Sequence, residues 1–333
     1  MAYREKGYMM ERRQFLALST LAGLSTGLSA KAVKSHTGLV LDERFIDHHI
    51  SPAHPESPAR YQAIADKLVE YDLLSKLTVL EAKNDVEPWL ELVHSKEHID
   101  SIKQNDLKNH QHALLATGAV LAAIDAVCSG PLNNAFCASR PPGHHALNTG
   151  KEEGFCYYNH AAIAARYAQK NYGLDRVLIV DWDYHHGNGT EWAFYSDPSV
   201  LYFSTHDTFA YPGTGFPERR GEGKGEGFNI NVHLACGAED ADIIAAFEQE
   251  LLPAVETFKP DLIIISAGFD SRQDDLLGCH DITDKGFMQL TKMVKNLAEK
   301  HCDGRVISLL EGGYNIQGNA SAVISHLSEL MCT

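Results

Sequence analysis

The sequence has no Cys-x-x-Cys pair, no internal repeat and no low-complexity tract, and it is short of positive charge. Its seven cysteines (Cys128, Cys137, Cys156, Cys236, Cys279, Cys302 and Cys332) are an odd, scattered set. A chain of 333 residues with 44% hydrophobic content can build its own core, so no disulfide framework is expected. The 29 Lys and Arg against 44 Asp and Glu leave a net charge of -15, which argues against direct nucleic-acid binding. The same charge suits either plain solubility or a cationic substrate, such as a Lys-rich tail or a polyamine.

Long hydrophobic runs are missing too. The uncharged, moderately apolar run near the start, residues 16–28, is too short to span a bilayer as a helix. It follows Arg12-Arg13-Gln14-Phe15-Leu16 and precedes Ala30-Lys31-Ala32, a small-x-small cleavage pattern. Residues 1–32 therefore resemble a twin-arginine export signal, an address read by a receptor rather than an anchor. The expectation is export to the periplasm or beyond; the alternative is an amphipathic or disordered leader on a cytoplasmic protein. From residue 36 to 333 there is no linker and no break in composition, which predicts one domain.

Within that domain strands and helices alternate. Apolar runs predict strands at 38–41, 135–138, 177–180, 200–205, 228–232, 262–267 and 306–310, several of them apolar at every position. Helical spacing and caps predict helices at 59–71, 88–94, 96–104, 114–128, 159–172, 238–258 (kinked at Pro253), 284–300 and 318–330. The alternation implies an α/β fold, a parallel sheet with helices on both faces.

The polar residues then fall in a telling place. Asp181, Asp183 and His185 occupy every second position past the central apolar run, and in an extended chain they would point the same way. His144 and His145, Asp270 and Tyr314 also come just after strand ends. That edge is where open parallel α/β sheets build their sites. Two carboxylates and an imidazole (Asp183, His185, Asp270) are a divalent-metal donor set, zinc first and Fe(II) as its competitor, with a position left open for water. Two carboxylates nearly cancel the ion's charge, so a second electrophile is needed, and the Tyr314 hydroxyl can donate to a carbonyl oxygen. One of the tandem histidines can move the proton from water to a leaving amine. Asp181 and Asn188 are the free acceptors that could orient the two imidazoles.

Five segments carry a family resemblance: Arg140-Pro-Pro-Gly-His-His-Ala146, Gly154-Phe-Cys-Tyr-Tyr-Asn159, Asp181-Trp-Asp-Tyr-His-His-Gly-Asn-Gly189, Ser266-Ala-Gly-Phe-Asp270 and Glu311-Gly-Gly-Tyr-Asn315. In this order they resemble the zinc-dependent histone deacetylases, the class II branch and its bacterial homologues most of all. The resemblance spans about residues 36–330. It implies a single arginase-like α/β domain with about eight parallel strands, hydrolysing acetyl-lysine or another short acyl-lysine in proteins. It implies zinc at Asp183, His185 and Asp270, and His145 as the main general base and acid paired with Asn188. His144 is then the assisting histidine, paired with Asp181, and Tyr314 polarises the carbonyl. Potassium is implied at Asp181 and Ser204. Gly154, Phe155 and Tyr211 are implied walls of the substrate channel. Leu277 stands where polyamine-selective relatives carry Glu, which ranks acetylpolyamines second as substrates. A two-manganese ureohydrolase of the same fold and a non-catalytic acyl-lysine binding protein are the remaining readings. The first needs bridging carboxylates this chain does not show, and the second predicts loss of a group that is present.

Overall fold

The computed structural model describes residues 36–332; the leader expected at 1–32 lies outside them. The strands are β1 (Thr37–Val40), β2 (Thr78–Leu80), β3 (Asn134–Cys137), β4 (Val177–Asp181), β5 (Val200–His206), β6 (Asn229–His233), β7 (Leu262–Ala267) and β8 (Val306–Leu310). They form one eight-stranded sheet in the order β2-β1-β3-β8-β7-β4-β5-β6, parallel throughout. This is the expected α/β architecture. In β4, β5, β7 and β8 every residue is buried, because helices cover both faces. Truncating an interior side chain such as Ile264 to Ala costs about 2–5 kcal/mol at a site packed this way.

β2 escaped the sequence reading because it is three residues long, at the sheet edge, and only partly buried. The apolar helix predicted from 114 begins earlier, at Leu107, where the Asp106 side chain accepts from the Asn109 amide and caps it. This helix, Leu107–Cys128, is long and apolar enough to cross a membrane, but it packs on β3 and on the helix His160–Tyr172 as part of the core. The long helix predicted over 238–258 is three pieces: Asp240–Ala246, a π-helical turn Phe247–Leu251, and Leu252–Phe258. The three are contiguous and helical at both junctions, and Pro253 falls just after the π-helical turn, where the regular backbone ladder is already interrupted. The short helix Asn188–Phe194 was not expected.

The strand order decides where the functional residues meet. The four strands whose ends precede the histidine pair, the Asp-rich run, Asp270 and Tyr314 are β3, β4, β7 and β8, and they lie side by side as β3-β8-β7-β4. Asp181 closes β4 in register with Ser266 on one side and Ser204 on the other.

Candidate active site

The alternating Asp181, Asp183 and His185 do not all converge as an extended strand would bring them. β4 ends at Asp181, and Asp183 and His185 lie in the turn beyond. Asp181 instead serves the histidine loop: its Oδ2 accepts from the Tyr202 hydroxyl at 3.0 Å and faces His144 Nδ1 at 3.1 Å. Asp183, His185 and Asp270 offer ligand atoms all within 4.8 Å of one another. Among the described residues this is the one such group of three.

Backbone amides aim the carboxylates. Asp183 accepts from the amides of His185 (2.9 Å) and Gly312 (2.8 Å), and Asp270 Oδ1 accepts from the Tyr184 amide (2.8 Å). A Cβ on Gly268 would stand 2.0 Å from Asp183 Oδ2, and one on Gly312 2.2 Å from Asp270 Oδ2, so both positions must be glycine for the carboxylates to fit. His185 Nδ1 lies 2.9 Å from Asp270 Oδ2 and 3.3 Å from Asp183 Oδ1. Burial and the Asp183 charge push Asp270 up to about 7. Burial opposes the charge on Asp183 as well, but His144 and His185 outweigh it and hold that carboxyl well below its usual range. Two buried carboxylates this close need either a shared proton or a cation between them. The donor set and its cradle fit a divalent metal ion.

The histidine loop hangs from a buried framework. Arg140, fully buried, is held in a fork by Glu56, with Nε–Oε1 and Nη2–Oε2 both 2.6 Å, and donates to the Phe45 carbonyl. Glu311, at the end of β8, accepts from the amides of Gly143 (2.7 Å) and His144 (3.2 Å). His145 Nδ1 meets Asn188 Oδ1 at 2.8 Å. An amide oxygen can only accept, so Nδ1 carries the proton and Nε2 is left as the basic nitrogen. Burial works against a charge on His144, but Asp183 and Asp181 outweigh it and raise its pKa well above the usual value. Burial and the charges of His144 and His185 push His145 well down. The two imidazoles are thus driven apart, one to hold a proton and one to accept it.

Tyr314 is buried, and its ring lies beneath the Arg60 guanidinium (5.1 Å) and edge-on to Phe155 (5.9 Å). Its backbone is pinned by Asp275 Oδ2, which accepts from the Tyr314 and Asn315 amides at 2.7 and 2.9 Å, and by Arg60, which donates to the Gly313 carbonyl at 2.6 Å. Burial and the Asp270 charge raise the phenol well above its usual pKa, so it remains an O–H donor.

A channel of about 400 Å³ reaches this floor, lined by His145, Gly154, Phe155, Tyr184, His185, Ala210, Tyr211, Leu277 and Tyr314. Gly154 has φ +54, and a Cβ there would lie 2.3 Å from the His145 ring, which is why the wall needs glycine at that point. Phe155 follows at φ +68, a strained setting for a bulky residue, and its amide is held by the Glu152 carboxylate. The expected walls Gly154, Phe155, Tyr211 and Leu277 all face this channel. Ser204 is near Asp181 by register, and its hydroxyl meets His206 Nδ1 at 2.8 Å.

Sequence reasoning missed the supporting residues. Glu56, Arg60 and Asp275 act through contacts up to 253 residues apart, and no spacing announces them; Tyr184 and Glu311 lay inside quoted motifs with no role read for them. Arg140 was visible only as part of a motif. The cysteine reading also needs correction: Cys236 and Cys279 are joined as a disulfide, their Cα atoms 5.0 Å apart across 43 residues of sequence. Scattered cysteines carried no sign of it because the fold, not the spacing, brings them together.

Comparisons with known proteins agree with this geometry. A family profile described as "Histone deacetylase domain" matches residues 54–330. The chain is 38% identical to a probable deacetylase of Archaeoglobus fulgidus, over 85% of this chain and 82% of that one. It is also 38% identical to the chloroplastic histone deacetylase 10 of Oryza sativa subsp. japonica, over 83% of this chain and 69% of that one. The crystal structure of the HDA15 HD domain superposes with a TM-score of 0.84 at 36% identity, covering 90% of each chain.

Proposed function

The chain belongs to the histone deacetylase family and is a hydrolase of the deacetylase type; we propose that it cleaves the Nε-amide of acetyl-lysine, or of another short acyl-lysine, in proteins. The observation that carries this reading is that His185, grouped with Asp183 and Asp270, lines one largely apolar channel together with His145 and Tyr314.

Asp183, His185 and Asp270 would hold zinc, or iron(II) in its place, which when bound supplies a Lewis acid for the acyl carbonyl and for water. Phe155 and Tyr211 enclose the polymethylene stem of the lysine and exclude bulk water from its amide. The Tyr314 hydroxyl donates a hydrogen bond to the carbonyl oxygen, where negative charge grows as water adds. His145, held by Asn188 through Nδ1, takes the proton of the attacking water at Nε2. It returns that proton to the lysine nitrogen as the C–N bond breaks, giving a carboxylate and a free amine. His144, kept protonated by Asp181 and Asp183, contributes positive charge beside the reacting oxygens.

Leu277 at the channel rim offers no anion to a distant ammonium, which favours acyl-lysine in a polypeptide over an acetylpolyamine. The deciding experiment is an activity panel of acetyl-lysine peptides, longer acyl-lysines and acetylpolyamines, with metal content measured on the same sample. Acetylspermidine turning over far faster than any peptide would reverse the ranking of substrates.

Two further assignments belong to the same proposal. Potassium binds beside the metal site near Asp181 and Ser204, adjacent residues on β4 and β5, and potassium titration of activity tests it. The leader directs export, because Arg12-Arg13 precedes an uncharged stretch and a small-x-small site. Unchanged fractionation of an Arg12→Lys, Arg13→Lys double variant would rule that out.

A further inference from the structure

The channel rim is built by residues 268–282, a strap that leaves β7, carries Asp270 at its start and returns toward the helix Asp284–His301. Its inner half is well held. Asp275 grips the backbone of Tyr314 and Asn315 and, with its other oxygen, the strap's own Leu277 amide at 2.9 Å. The outer half is anchored differently. Leu276 and Leu277 are exposed, at 67% and 41%. From there the strap bonds back to its own inner half, Gly278 N to Asp275 Oδ1 (3.3 Å) and Ile282 N to the Ser271 carbonyl (3.2 Å), and outward to the loop that follows β6. Gly237 N donates to the Cys279 carbonyl (2.7 Å), Asp281 N to the Ala238 carbonyl (2.8 Å), and His280 Nε2 meets the Leu234 carbonyl (3.1 Å). The Cys236–Cys279 disulfide lies among these bonds.

Cys279 also touches the channel wall itself. Its Sγ lies 3.1 Å from the Tyr184 hydroxyl, which is bonded to Asp207 Oδ2 at 3.1 Å as well. Tyr184 lines the channel between two of the metal-site residues, and Leu277 lines it two positions before Cys279. One sulfur atom thus touches the Tyr184 wall directly and lies two residues along the strap from Leu277. The pair is also accessible: Cys236 is exposed and Cys279 half-buried, whereas Cys137, Cys156 and Cys302 are buried thiols.

We propose that the Cys236–Cys279 pair is a thiol–disulfide site that fastens the channel rim, so that the affinity of the channel for its substrate follows the redox state of this pair. The inference rests on the acyl-lysine reading above. Closing the tie takes two electrons and two protons from the two thiols and forms one S–S bond; a low-molecular-weight disulfide such as oxidised glutathione accepts them and is split into two thiols. In the open state the hydrogen bonds to the β6 loop remain, but the covalent link from the strap at Cys279 to that loop is gone. A twin-arginine leader would deliver the protein to a compartment where the closed form persists.

The test uses the purified, metal-loaded protein in oxidised form, after reduction with a phosphine, and after reoxidation with oxidised glutathione. Cys236→Ser is run in parallel, since Cys236 is exposed and outside the catalytic groups. Peptide mapping without reductant is expected to show the 236–279 link in the oxidised form alone. Reduction is expected to raise amide hydrogen exchange across residues 271–282 and to raise KM for an acetyl-lysine peptide several-fold with a smaller change in kcat. Reoxidation reverses both, and Cys236→Ser behaves as the reduced protein and ignores the phosphine. Equal exchange and equal KM in the oxidised, reduced and Cys236→Ser proteins would overturn the proposal, as would mapping that finds no 236–279 link in the oxidised form. If no form hydrolyses any acyl-lysine, the substrate reading has failed, and hydrogen exchange across the strap still decides whether the tie exists.

Discussion

His145 Nδ1 stands 2.8 Å from an amide oxygen, that of Asn188, and not from a carboxylate. His144, its neighbour, is the one given a carboxylate partner, Asp181, at 3.1 Å. The difference sets which imidazole is neutral at rest. Because burial and the nearby His144 and His185 charges lower the His145 pKa, its basic form persists below pH 6.5. The acid limb of kcat/KM is therefore expected below that value. Asn188→Asp places a negative charge on Nδ1–H and stabilises the imidazolium, so it is expected to move that limb to higher pH by about one unit. A pH–rate profile of the two proteins checks the direction.

Tyr314→Phe removes the hydroxyl assigned to the acyl carbonyl while keeping the ring against Arg60 and Phe155. The expected loss is in kcat, about 10²–10³-fold by comparison with removal of one oxyanion donor. Metal content and the Kd of a substrate analogue are expected to stay near those of the parent, measured by elemental analysis and calorimetry.

Asp270→Ala deletes one of the three donors and the acceptor of the Tyr184 amide. The variant is expected to purify with far less than one metal ion per chain and with no measurable turnover. Chelation of the parent protein should reproduce the loss of activity, and added zinc should restore it in the parent alone.

Glu56 is wholly buried and neutralises Arg140 through two 2.6 Å contacts, with Arg60 at 3.3 Å and His48 at 3.3 Å on the same carboxylate. Glu56→Ala leaves the Arg140 and Arg60 guanidiniums buried without their counter-charge, at a cost of about 3–5 kcal/mol. The thermal midpoint is expected to fall. Because Arg60 and Arg140 hold the Tyr314 and His144 loops, activity measured well below that midpoint should fall as well.

Four buried histidines set the acid side of stability. Burial lowers His94, His206 and His326 to about 3 and His160 to about 4. Each stays neutral in the folded protein while its unfolded counterpart takes a proton below about pH 6.5. The folded pKa is the lower one, so the stability is present above pH 6.5 and is lost as pH falls toward 4. Each proton taken up on unfolding steepens that loss by about 1.4 kcal/mol per pH unit. Denaturant titrations from pH 7 to pH 4.5 are expected to show falling stability over the range, with a slope that needs more than one proton.

The sequence by itself determined what is local. Strands apolar at every position, Pro and Gly at element ends, and ligand-type residues just past strand ends are all written within a few residues of one another. From these came the parallel α/β class, seven of the eight strands, and the donor groups Asp183, His185 and Asp270 with His144, His145 and Tyr314.

Only the tertiary structure decided the long-range pairings. The order β3-β8-β7-β4 brings together strand ends that are up to about 170 residues apart in sequence, and nothing in either segment encodes its neighbour. The same holds for Asp181, which spacing alone placed with Asp183 and His185, and which the end of β4 turned toward His144 and Tyr202 instead. Glu56 on Arg140, Glu311 under the histidine loop, Asp275 under Tyr314 and Cys236 on Cys279 are of this kind too. The physical reason is that a residue's type and periodicity report its own backbone and its own burial. The partner it meets across the core depends on how every other element packs.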